Sequence, residues 1–172
     1  MRRISLVFLT VLMILCGAAF GSCSPSSEGA GSVLWYQEGL QGVDAKITFS
    51  DAEYKILIKL SEDTSSIEIT EPENIKGVCI LKEAGGAYVK SQGTKIPISG
   101  GVFSGVEPIF QAFELSEDNI SQISAWDEGG NILTINSGGG VYTVFTDTGG
   151  SPVKIAFEGE RTFEMSEIVL ER

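Results

Sequence analysis

Val43-Asp44-Ala45-Lys46-Ile47-Thr48-Phe49-Ser50, Asp51-Ala52-Glu53 and Tyr54-Lys55-Ile56-Leu57-Ile58-Lys59-Leu60 form the continuous stretch that sets the fold class. In its first part Val43, Ala45, Ile47 and Phe49 alternate with Asp44, Lys46, Thr48 and Ser50. Side chains on a strand point to opposite faces in turn, so this pattern predicts a strand with one dry and one wet face. Tyr54, Ile56, Ile58 and Leu60 repeat the period beyond the polar turn. The two strands make a hairpin.

Downstream, residues 61–65 are polar and turn the chain. Ile67 and Ile69 carry a third strand, closed by Pro72, which cannot donate to a ladder. Residues 78–81 and 87–90 are strands around Gly85-Gly86, and Ile96-Pro97-Ile98 reads as an edge or an irregular piece. The period then changes. Pro108 suits a first helical turn, with Ser104 or Gly105 as cap. Ile109, Phe110 and Phe113 share one helical face, so residues 106–115 are expected to be helical. Strand patterns return around Ile120, Ile123 and Trp126, then at 132–135, 141–146, 153–157 and 162–170. Turn residues separate them, as in Asp127-Glu128-Gly129-Gly130-Asn131 and Ser137-Gly138-Gly139-Gly140. The spacing predicts a mainly β fold, with about ten antiparallel strands and one short amphipathic helix.

Upstream, residues 33–37, Val-Leu-Trp-Tyr-Gln, read as a brief helix or a first strand. Before them, Ser24-Pro25-Ser26-Ser27-Glu28-Gly29-Ala30-Gly31-Ser32 has the composition of a tether. Residues 1–22 begin with Arg2 and Arg3, continue through an apolar run from 4 to 15 and end in small residues. That is the layout of an export signal. The apolar run is shorter than the roughly 20 residues that cross a bilayer. Cys23 follows directly, and the whole resembles a bacterial lipoprotein signal, whose thiol is acylated after cleavage. The expected organisation is a signal peptide at 1–22, a lipidated Cys23 with its tether at 23–32, and a β-rich domain at 33–172. Two or three acyl chains satisfy the requirement for stable anchoring at the extracytoplasmic face of the cell membrane.

The chain has 172 residues, 12 basic and 23 acidic side chains and a net charge of −11. Such an acidic surface disfavours nucleic acid, which is held by clustered Lys and Arg. It contains no histidine, which removes the commonest general base and zinc ligand. The adjacent acidic pairs, such as Glu62/Asp63 and Asp127/Glu128, fall in turns, where solvated carboxylates are ordinary. Neither a calcium loop of the EF-hand pattern nor a phosphate-cradling glycine loop is present. With Cys16 lost with the signal and Cys23 acylated, Cys79 stands alone and no disulfide is expected. Neither an enzyme nor a cofactor is expected.

Thr70-Glu71-Pro72-Glu73 followed by a strand, the helix at 106–115, and Gly149-Gly150-Ser151-Pro152-Val153-Lys154-Ile155 together resemble the LolA/LolB-like lipoprotein carriers. That resemblance implies a strongly curved antiparallel sheet, a half-open barrel, with a concave apolar face and a helical lid. Residues 101–119 contain no basic residue, so the family's lid arginine has no counterpart. The implied function is binding of a lipid, acyl chain or apolar peptide. Trp35, Phe103, Ile109, Phe110, Phe113 and Trp126 are the candidate lining residues. The alternative is an envelope interaction or sensor module in which the same sheet docks a protein and no small ligand exists.

Overall fold

A computed structural model describes residues 32–98 and 101–172. After a 3-10 turn at Trp35–Gln37 come six strands: β1 Gly42–Phe49, β2 Ala52–Lys59, β3 Thr64–Glu71, β4 Cys79–Glu83, β5 Gly86–Ser91 and β6 Thr94–Ile98. Two short helices follow, α1 Gly101–Ser104 and α2 Glu107–Gln111, then a 3-10 turn at Glu117–Asn119. Five strands complete the chain: β7 Ile120–Ala125, β8 Asn131–Ser137, β9 Gly140–Thr146, β10 Pro152–Gly159 and β11 Phe163–Glu171.

Among the described residues all eleven strands form one sheet in the order β6-β5-β4-β3-β2-β1-β11-β10-β9-β8-β7, antiparallel throughout and not closed. The fold is mainly β and antiparallel, as the alternation predicts, and its sheet stays open, as the resemblance implies. The eleventh strand is β6. Its Pro97 pairs with Tyr88 at the sheet's edge, the position where a missing N–H is tolerated. The stretch before β1 is a 3-10 turn rather than a strand, and it buries Tyr36. The helical stretch at 106–115 is shorter than the sequence suggests, because α2 stops at Gln111 and α1 precedes it.

The order has a direct physical consequence. β6 and β7 follow one another in the chain yet occupy opposite edges. The link between them must cross the sheet, and its apolar residues are covered by doing so over the inner face. Ile109, Phe110, Ala112 and Phe113 are all buried there with the inward residues of the strands.

The inner face is read from parity. Val43, Ala45 and Ile47 of β1 are buried, as are Ile56 and Ile58 of β2, Leu133 and Ile135 of β8, Tyr142 and Val144 of β9, and Ile155 and Phe157 of β10. Apart from the buried Gly42, their neighbours in sequence are more exposed. The β1–β2 turn has positive φ at both Ser50 and Asp51, the two-residue turn whose twist matches that of the strands. On β11, Glu167 has a φ of +53° where the register with β1 slips between Asp44 and Lys46. Such bulges sharpen local twist and help a sheet curl. Gly140 and Gly159 pair beneath the Phe157 ring, where an added Cβ would meet ring carbons at 2.8 and 2.7 Å.

Candidate functional site

The alternation of β1 to β4 places isoleucines on one face, and α2 closes over them. Between the two runs an apolar groove of about 190 Å³. Its floor is Ile47 and Phe49 of β1, Tyr54 and Ile56 of β2, Ile67 and Ile69 of β3 and Ile80 of β4. Its cover is Val106 and Ile109. Ile47, Ile56 and Ile67 are buried, while Phe49, Tyr54, Ile69 and Ile80 are half-buried and form the open side. Among the described residues no charged side chain lines it, and the Tyr54 hydroxyl is the sole polar side-chain group in the wall.

The cover is fastened at two places. The Tyr142 hydroxyl donates to the Pro108 carbonyl at 2.8 Å. Lys82 on β4 lies 3.7 Å from the Glu114 carboxylate and 5.9 Å from the centroid of the Phe110 ring. Burial, and then Glu107, push the Tyr142 phenol well above its ordinary pKa of 10.

The residues singled out from sequence separate into three positions. Ile109 lines the groove. Phe110 and Phe113 are buried in the core beneath the crossing link, and half-buried Phe103 packs against that core. Trp35 and Trp126 lie elsewhere. Trp35 donates its indole N–H to the Gly149 carbonyl at 3.2 Å and carries the Arg172 guanidinium 4.3 Å above its ring. Trp126 meets Phe145 edge-on at 5.3 Å, on the outer side of the sheet. Cys23 lies outside the described residues. The isoleucines of β1 to β4 were readable as one face of a hairpin, but nothing local marks that face as a groove rather than closed core.

Two other features complete the chemistry. A wetter hollow of about 890 Å³ lies at the β1–β2 and β10–β11 turns, with Asp51, Glu158, Glu160, Arg161 and Glu164 among its lining residues. Among the described residues no group of three or more histidine, cysteine, aspartate or glutamate side chains could hold a metal ion. Half-buried Cys79 has its thiol pushed up by burial first and Glu68 second, which makes it a poor nucleophile.

No family model matches the chain, and no curated protein matches it. The chain is similar in structure to LolA-superfamily proteins. A LolA superfamily protein from Nitrosomonas europaea aligns at 13% identity and a TM-score of 0.38, covering 81% of this chain and 92% of its own. The lipoprotein LppX of Mycobacterium tuberculosis aligns at 10% identity and a TM-score of 0.43, over 81% and 89%. LprF from Mycobacterium bovis aligns at 14% identity and a TM-score of 0.35, over 81% and 90%. Among the described residues no helix is long and apolar enough to cross a membrane.

Proposed function

We propose that this chain is an extracytoplasmic lipoprotein, anchored through acylated Cys23, whose β domain binds a hydrophobic ligand in the groove beneath Val106 and Ile109. The observation that carries the reading is the wall itself: nine residues with no charge among them, in a chain of net charge −11. A dry apolar cavity of about 150 Å³ is enough to hold benzene, whereas drug-sized ligands occupy roughly 300 Å³ or more. At about 190 Å³ the groove matches part of one acyl chain or one apolar side chain of a peptide. A bulkier guest requires the link carrying α1 and α2 to lift.

The test is native mass spectrometry of residues 24–172, exported behind a cleavable signal and kept free of detergent. A copurifying lipid, lost when Ile69→Asp places a charge at the open side, supports the proposal. A protein that emerges apo and fails to take up a fluorescent fatty acid overturns it. The second reading is a protein-interaction module with no small ligand. It is supported by the complete burial of Phe110, which packs into the core with Ile109, Ala112 and Phe113 of the same link.

A further inference from the structure

We propose that β7 is a docking edge, which accepts an extended partner peptide with basic ends as a further strand of the sheet. The two edges are built differently. β6 carries Pro97, and its Lys95 is bonded to Glu83 at 2.7 Å and lies 4.0 Å over the Tyr88 ring. Proline and lysine are devices that blunt an edge against pairing. β7 reads Ile-Ser-Gln-Ile-Ser-Ala, with neither proline nor charge. A bulge between Ile120 and Gln122 interrupts its start, where Ser121 donates to the Thr134 carbonyl at 3.1 Å. Beyond it the pairing with β8 is regular, from Gln122 opposite Thr134 to Ala125 opposite Asn131.

The register says which backbone groups are free. The Trp126 N–H donates to the Gly130 carbonyl at 3.2 Å. The Asn131 N–H turns the other way, to the Thr146 hydroxyl on β9 at 3.1 Å. Antiparallel pairing alternates, so Ser124 bonds β8 while Ile123 and Ala125 direct their N–H and C=O outward. No described strand receives them. Ile123 lies opposite Leu133, on the inner side, and is 52% exposed at the rim. It offers one apolar contact to an inward side chain of an added strand.

Charge selects the occupant. The neutral strand is bracketed by Glu117 and Asp118 at its start and Asp127 and Glu128 at its end, all exposed. None of the four is in an ion pair among the described residues. A second copy pairing antiparallel would set one acidic end against the other and be repelled. The tether at 24–31 holds Pro25 and Glu28 and no basic residue, so it also fits poorly. A peptide with Lys or Arg at both ends and an alternating centre satisfies backbone and charge together.

The test uses the lipid-anchored chain in nanodiscs of zwitterionic lipid. The probe is a fluorescent peptide of alternating valine and threonine flanked by lysine pairs, read by anisotropy. Ala125→Pro removes one outward N–H and leaves the β8 ladder intact, so affinity should fall about tenfold with an unchanged melt. Asp127→Asn with Glu128→Gln should weaken binding and flatten its salt dependence, which decides the matter if the proline variant does not fold. Full affinity in a folded Ala125→Pro, or equal binding of a glutamate-flanked peptide, overturns the proposal. So does dimerisation abolished by Ala125→Pro, which assigns the edge to a second copy. Tighter binding after deletion of 24–31 shows instead that the tether occupies the edge in the intact chain, and overturns the proposal as well.

Discussion

The Tyr142 hydroxyl reaches across the inner face and donates to the Pro108 carbonyl at 2.8 Å, tying the β9 strand to the helix that covers the groove. The same carbonyl accepts the Ala112 N–H at 3.0 Å, so it stays satisfied when the tyrosine is shortened. Tyr142→Phe is therefore expected to cost only about 1 kcal/mol of stability. The larger effect should be local. Amide exchange at residues 109–113 should quicken relative to β1 and β11, and fatty-acid uptake should be faster. Unchanged exchange in that segment would show that the bond does not hold the cover.

Tyr36 is fully buried, and among the described residues its hydroxyl makes no well-formed hydrogen bond, although the neighbouring Gln37 amide lies close enough to favour its ionised form. An unsatisfied buried hydroxyl costs about 1–3 kcal/mol. Tyr36→Phe removes that cost while keeping the ring, so the variant should melt a few degrees higher than the parent. A lower melting temperature would mean that the hydroxyl has a partner in solution, such as a buried water.

The two tyrosines also set an alkaline limit. Burial raises Tyr36 to about 12, partly offset by the Gln37 side chain, and raises Tyr142 further. Both hold their protons more tightly folded than unfolded, where the value is about 10. Their contribution is complete below pH 10 and is lost as pH rises through the folded-state values. Denaturant midpoints measured from pH 8 to 12 should fall above 10, and Tyr36→Phe with Tyr142→Phe should flatten that limb.

Glu117 accepts hydrogen bonds from the Ser32 hydroxyl at 2.6 Å and from the Leu34 N–H at 3.2 Å, which lower its pKa in that order. A depressed carboxylate stabilises its contacts above the ordinary value of 4.5 and releases them as pH falls through the folded value. Trp35 emission, read in a Trp126→Phe background, should shift with acid and should already be shifted at neutral pH in Glu117→Gln. Identical acid profiles in the two proteins would show that Glu117 does not dock this segment.

Val106→Trp should fill the groove from its cover. Losing the burial of even two methylenes of a guest lowers affinity about tenfold, so fluorescent fatty-acid binding should fall at least that far. The melt reports separately on overpacking. Undiminished binding in a folded variant would move the ligand site away from the groove.

Strand periodicity depends on neighbours in sequence, and it was legible in ten of the strands but not in β6, where Ile96-Pro97-Ile98 read equally as an irregular piece. Val43, Ala45, Ile47 and Phe49 declared a strand and its dry face, and the turn residues between patterns declared the hairpins. Ile109, Phe110 and Phe113 announced an apolar helical face by the same local logic. Which dry residue faces a groove and which faces closed core depends on what lies across from it. Tertiary structure decided that by setting β6 and β7 at opposite edges, so that the link between them crosses the inner face. Phe110 and Phe113 were thereby spent on the core, and the gap fell beside Ile109 and Val106. Trp126 went to the outer side because it packs on Phe145, a partner in another strand that no local pattern names. The open edge at β7 has the same origin: its composition is local, but its freedom from a neighbouring strand belongs to the whole sheet.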